Sequence, residues 1–234
     1  MNGLIFFIVL PYVALFSVIF GSFYRYCYHG FQVSSLSSQF LENNRLFFGS
    51  RPFHWGIIAL FFGHLIGFLF PRSVLAWNDV PIRLYILEVS AFAFGLLSIT
   101  GLVILTIRRI QVKRLYVVTT KMDIFVYFIL FLQIITGLYV AYFFRWGSSW
   151  FAMVLTPYLR SIFTFSPDIN AVIALPVMVK IHIVSAFILI GMIPFTRFMH
   201  FLVYPFTYFW RRPQLVIWNF KKTIEPDSVK SKGN

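Results

Sequence analysis

Residues 53–68 read FHWGIIALFFGHLIGF, two histidines ten positions apart in a run that is otherwise almost wholly apolar. With its neighbours the run approaches the roughly 20 apolar residues that take a helix across a bilayer. Lipid offers no hydrogen-bond partners, so a polar group in such a helix must find one within the protein. The chain has only five histidines, His29, His54, His64, His182 and His200. The question is whether the others supply partners for these two.

Composition sets the class. Of 234 residues, 59% are hydrophobic, 21% aromatic and 12% charged, whereas a water-soluble domain carries about 25% charged residues. Mean hydropathy is +0.81. The sequence predicts an all-α integral membrane protein, a five-transmembrane-helix bundle. One membrane domain is expected over 1–210, with a polar tail over 211–234. Spans are expected at about 3–24, 52–70, 82–107, 123–144 and 172–204. The first apolar run has no positive leading region and no small-residue cleavage site, so it reads as a retained helix rather than a signal peptide. Pro11 and Pro194 should bend spans one and five, with neighbours satisfying the freed carbonyls. The stretch WFAMVLTPYLRSIFTF, 150–165, is apolar but short and holds Pro157 and Arg160. It is expected to form an interfacial helix or cap. The single cysteine, Cys27, gives no intrachain disulfide, no CxxC zinc site and no CxxCH haem attachment.

Charge gives the orientation. Lys and Arg concentrate in 25–51, in 108–121 (Arg108, Arg109, Lys113, Arg114, Lys121) and in the tail. Basic loops face the cytoplasm, so the N-terminus is expected outside and the C-terminus in the cytoplasm. The net charge of +13 then reflects topology and attraction to anionic lipid, or a docking surface for a cytoplasmic partner. It is not a nucleic-acid signal.

This topology sorts the histidines. His29 falls in a loop and reads as solvated. Spans two and five run in opposite directions. His54 and His200 therefore share the inner level, and His64 and His182 the outer. At about 100° per residue, His200 returns to the face of His182 and His64 stays within about 80° of His54. The rises disagree, roughly 27 Å on span five against roughly 15 Å on span two; Pro194 is where the difference should be absorbed. Haem iron takes two axial ligands and accepts neutral imidazole. Two bis-histidine haems b at different depths would form a transmembrane electron wire. Gly56 and Gly63 beside the ligands suit the approach of a porphyrin, though ordinary helix packing is the plainer reading, and Gly67 completes a GxxxG. A histidine-based proton channel or transporter is the competing class.

Several motifs lie in order along the chain: SSQFLE at 37–42, the FHWGI…FFGHLIG block, GLLSITGLVILTIRRI at 95–110, TTKMD at 119–123, KIHIV at 180–184 and PFTRFMH at 194–200, with Pro205 close behind. In these the chain resembles the γ subunit of respiratory nitrate reductase, the diheme cytochrome b that anchors that complex. The resemblance implies quinol oxidation near an outer haem held by His64 and His182. Electrons would pass inward to a haem held by His54 and His200. From there they would reach an iron–sulfur β subunit and a molybdenum-containing α subunit on the cytoplasmic side of a prokaryotic cell membrane. Nitrate would not be reduced in this chain. Members of the family can use a lysine early in the third helix near the outer haem. Here PIRLYILEVS, 81–90, has none and offers Arg83, Tyr85 and Glu88 instead. Glu88 reads as a proton acceptor for quinol, an ion-pair partner of Arg83 or a polar bundle contact. This departure leaves quinone type and the direction of electron flow open, since a nitrite-oxidising complex would run the wire the other way. A sulfite-reductase-linked or heterodisulfide-reductase-type cytochrome shares the histidine pattern. Arg51 and Arg197, near the inner histidines, suit haem propionates or interfacial snorkelling. Asp123, with Thr119 and Thr120, reads as a helix cap.

Overall fold

The computed structural model describes residues 2–28 and 44–202, the side chains of residues 2, 44 and 45 excepted. His29, the 37–42 motif, residues 203–204 of span five, Pro205 and the tail lie outside the described residues. Five described helices are long and apolar enough to cross a membrane. They are α1 (Ile5–Tyr28), α2 (Asn44–Leu69), α3 (Pro81–Gln111), α4 (Lys121–Phe143) and α5 (Val177–Met192), whose span runs on through a 3₁₀ turn to Phe195. There is no strand among the described residues.

Two boundaries differ from expectation. Helix α2 begins at Asn44 and carries Pro52 inside it. Proline favours a helix start, but bundle neighbours let a membrane helix continue through one. Span five is not one helix over 172–204. A separate turn, Asn170–Ile173, ends before Pro176, and α5 stops at Met192. A 3₁₀ turn at Ile193–Phe195 follows, then an irregular stretch to 198, then helical residues 199–202. Pro194 thus breaks the helix instead of bending it. Helix α4 starts on a capping box: Thr120 Oγ1 accepts from the Asp123 N–H and Asp123 Oδ2 accepts from the Thr120 N–H, both at 3.1 Å.

Small residues set the packing. Helices α2 and α3 form an antiparallel pair in close contact. A Cβ on Gly56 would lie 2.3 Å from Ser98 Oγ, and one on Gly101 would lie 2.4 Å from the Phe53 nitrogen. Without a hydrophobic force between helices in lipid, this close approach is what holds such pairs. Next, α4 packs on α3, α5 on α4, and α1 on α5. Helices α2 and α5 make little direct contact. The end holding Arg108, Arg109, Lys113, Arg114 and Lys121 is the basic end below; the other is the far end.

The far end is closed by Gly147–Trp150, Phe151–Leu155 and Thr156–Phe163. This segment is not among the candidate spans. It reaches over the ends of α1 and α2. Arg160 Nη2 donates to the carbonyls of Phe68 and Leu69 at 3.0 and 3.1 Å, and Thr156 Oγ1 to that of Gly67 at 3.3 Å. These are last-turn carbonyls with no partner in α2. Tyr158, 1% exposed, donates to the Phe7 carbonyl at 2.8 Å, whose usual partner is the N–H that Pro11 lacks. At the Pro194 break, Ser17 Oγ donates to the Gly191 carbonyl at 2.8 Å. Arg25 Nη1 donates to the carbonyls of Pro194 and Thr196.

Candidate functional site

The four membrane histidines meet as two pairs. The ring centroids of His54 and His200 lie 6.3 Å apart at the basic end. Those of His64 and His182 lie 6.4 Å apart nearer the far end. The break at Pro194 reconciles the unequal spacings. Residues 193–198 are not α-helical, so the step from His182 to His200 is no longer eighteen residues of helical rise.

In each ring Nδ1 faces a backbone carbonyl. His54 Nδ1 lies 2.7 Å from Ser50 O, His64 Nδ1 2.8 Å from Leu60 O, His200 Nδ1 2.5 Å from Arg197 O and His182 Nδ1 3.1 Å from Gln133 O. A carbonyl only accepts, so the proton sits on Nδ1 and Nε2 keeps its lone pair. In His54, His64 and His200 this is the neutral tautomer that binds a metal through Nε2, with the carbonyl as orienting partner; in His182 the Nε2 lone pair faces the Gln133 amide nitrogen at 3.2 Å, a contact that a metal would have to displace.

The spacing also suits a metal. Imidazole nitrogen binds transition metals at about 2 Å, and the ring centroid lies about 1.1 Å further back. Two imidazoles on opposite sides of one ion therefore place their centroids about 6.3 Å apart. Among the described residues no group of three or more His, Cys, Asp or Glu converges, so each pair offers two ligands. Two is the axial requirement of porphyrin iron. Helix α2 is held apart from α5 and the stretch that follows it, and meets them through the imidazoles, an arrangement with which a planar group between them is compatible. His54 and His64 are exposed on α2, although polar groups on a membrane helix ordinarily face protein.

The glycines divide. Gly63 is open: a Cβ there meets nothing within 4 Å, consistent with a cradle for a flat group. Gly56 is occupied by Ser98, so its role is helix packing against α3 and not haem approach. Gly137, on α4, was not anticipated. A Cβ there would lie 2.9 Å from His182 Cε1. Thr136 Oγ1 lies 3.1 Å from His182 Nδ1, and Gln133 Nε2 lies 3.2 Å from His182 Nε2. Ser185 Oγ donates to Gln133 Oε1. The Gln133, Thr136 and Gly137 set forms one face of an otherwise apolar helix, and that spacing was the available signal.

Arg51 is exposed, its guanidinium 4.5 Å from the centre of the Phe47 ring. Arg197 Nε lies 3.5 Å from Asp123 Oδ1. At the far end Arg83, Tyr85 and Glu88 occupy the first turns of α3, and each takes a different partner. Arg83 lies over Trp77, 5.3 Å from the ring centre, and Tyr85 packs edge-on against Trp146 at 5.2 Å. Glu88 turns to Ser148 instead of Arg83: its Oε1 accepts from Ser148 N at 2.9 Å and Oγ at 2.6 Å. Asn78 Nδ2 donates to Ser148 Oγ and Ser149 Oγ at 3.0 and 2.9 Å. Three residues on, Phe151 packs edge-on against His64 at 5.4 Å. The Glu88 carboxylate and the His64 ring are therefore linked through one short segment.

The family model for the nitrate reductase gamma subunit matches residues 3–219. The nitrate reductase gamma chain of Bacillus subtilis (strain 168) is 33% identical over 215 residues, covering 90% of this chain and 96% of that protein. The respiratory nitrate reductase 2 gamma chain of Escherichia coli (strain K12) is 32% identical over 216 residues, covering 90% and 95%. A nitrate reductase-like protein, NarX, of Mycobacterium tuberculosis (strain H37Rv) is 30% identical over 219 residues, which are 90% of this chain but 33% of that protein. Five apolar helices and bacterial relatives make this a multi-pass prokaryotic membrane protein, and the chain belongs to the nitrate reductase gamma subunit family.

Proposed function

We propose that this chain is the membrane-anchoring diheme cytochrome b subunit of a respiratory nitrate reductase, taking electrons from quinol at the far end and delivering them at the basic end. The observation that carries this reading is the pair of cross-helix histidine contacts, each ring oriented through Nδ1, with Nε2 left for a metal in His54, His64 and His200 and held by the Gln133 amide nitrogen in His182 until a metal displaces it. Haems b on the two pairs would supply one-electron redox centres at two depths. His54 and His200 would hold one, and His64 and His182 the other. Arg51 and Arg197 are candidate propionate partners, with arginine geometry suited to carboxylates.

At the far end, quinol must lose protons as well as electrons. Glu88 is the candidate acceptor, its carboxylate oriented by Ser148. Arg83 and Tyr85 are candidates to donate hydrogen bonds to a quinone oxygen. Lys and Arg at the opposite end orient that end to the cytoplasm, where an iron–sulfur β subunit and a molybdenum-containing α subunit would dock. The names of the gamma-chain relatives support the assignment of the complex.

A reduced-minus-oxidised spectrum of the co-purified complex tests this. It should show low-spin b-type α bands from two components. Replacing His64 or His182 with leucine should remove one component, and replacing His54 or His200 the other. If His54 and His182 variants lost the same component, the pairing would be wrong. A haem-free complex that still oxidises quinol would sink the cytochrome reading.

A further inference from the structure

His200 does not sit on α5. It follows a 3₁₀ turn and an irregular stretch, so the regular helix that fixes His182 cannot fix His200. Its support comes from two other helices. Asp123, in the first turn of α4, joins three segments with one carboxylate. Oδ2 lies 3.2 Å from Arg109 Nη1 of α3 and accepts from the Thr120 N–H at 3.1 Å. Oδ1 lies 3.5 Å from Arg197 Nε. The Arg197 backbone carbonyl is the acceptor for His200 Nδ1. The Asp123 and Arg109 side chains are only 14% and 16% exposed, so solvent screens this pair far less than an open surface pair; Arg197, 40% exposed, is screened more, and its tie draws on the buried carboxylate. From α1, Arg25 holds the carbonyls of Pro194 and Thr196. Neighbouring Met199 is 1% exposed.

We propose that Asp123 is a positioning residue for His200. Through Arg197 it fixes the carbonyl that orients the imidazole, with Arg25 as the second anchor of the same stretch. The proposal rests on the reading that His54 and His200 share a haem. It adds that the two centres are secured differently. His182 is set by its own helix and the Gln133, Thr136 and Gly137 face of α4. His200 is set by an ionic tie remote from its own helix. The basic-end centre should therefore respond to charge changes at Asp123, and the far-end centre should not.

The test uses the intact complex with Asp123→Asn, Asp123→Glu and Thr120→Ala. Haem content, optical redox titration and low-spin electron paramagnetic resonance report on each centre separately. Asp123→Asn keeps a side chain that can cap but loses the charge. It should lower haem content from about two per chain toward about one, as loss of an orienting partner weakens ligation roughly 10-fold or more. Where haem is retained, the potential and resonance position of the His54/His200 centre should shift while the other stays fixed. Asp123→Glu should restore the wild-type signature. Thr120→Ala removes the cap but leaves the Asp123–Arg197 tie, and should leave both signatures in place. An unchanged Asp123→Asn spectrum, equal loss of both centres, or Thr120→Ala reproducing the shift would each overturn the proposal. A wild-type complex without haem would instead overturn the diheme reading on which it depends.

Discussion

Gly137 shows how little room the far-end pair has. The His182 ring lies where a side chain at 137 would begin, at 2.9 Å from a hypothetical Cβ, a separation real side chains do not tolerate. Gly137→Val should displace the ring and remove the His64/His182 component from the reduced-minus-oxidised spectrum, with the His54/His200 component retained. Loss of neither would mean the imidazole can be held from elsewhere. The four histidines themselves were legible in the sequence, because an imidazole in an apolar run has no solvent to satisfy it. What surrounds His182 was not. Gln133, Thr136 and Ser185 each pass for ordinary membrane-helix polar residues until the packing of α4 on α5 brings them to one ring. Gly56 was read two ways, and only the position of Ser98 decides between them.

At the scale of elements, prolines are the recurrent problem and side chains from other helices the recurrent answer. Pro11 leaves the Phe7 carbonyl to Tyr158, and the Pro194 break leaves carbonyls to Ser17 and Arg25. Tyr158→Phe should destabilise the protein by about 1 kcal/mol, the net worth of one such bond, measured by thermal unfolding in detergent. Unchanged stability would show that the bond adds nothing there. The element map was largely legible, since long apolar runs bounded by charge announce spans without reference to packing. The break in span five was not. Sequence marks a proline but does not say whether neighbours will carry the helix through it, as at Pro52, or whether the helix will stop. That depends on whether the freed carbonyls find donors better placed outside the helix.

For the molecule as a whole, orientation is the quantity to measure. Val117 and Phe165 are 82% and 84% exposed at opposite ends. In a Cys27→Ser background, Phe165→Cys should react with an impermeant thiol reagent in intact cells, and Val117→Cys only after permeabilisation. The reverse pattern would invert the direction of electron delivery argued above. The basic loops carry this expectation at the level of sequence, because the bias lies in residue type and not in geometry. The separation of α2 from α5 did not show in the sequence, since it arises from each helix finding its packing partners elsewhere.

That separation has a consequence for how the protein is made. The histidines on α2 leave the ribosome early, and their partners follow only after all of α3 and α4 have been synthesised. Until then each histidine pair is a single imidazole, at both depths alike. On the proposed diheme reading, cofactor loading is therefore an event of the finished chain, and a product truncated before Val177 would enter the membrane with two half-built pairs.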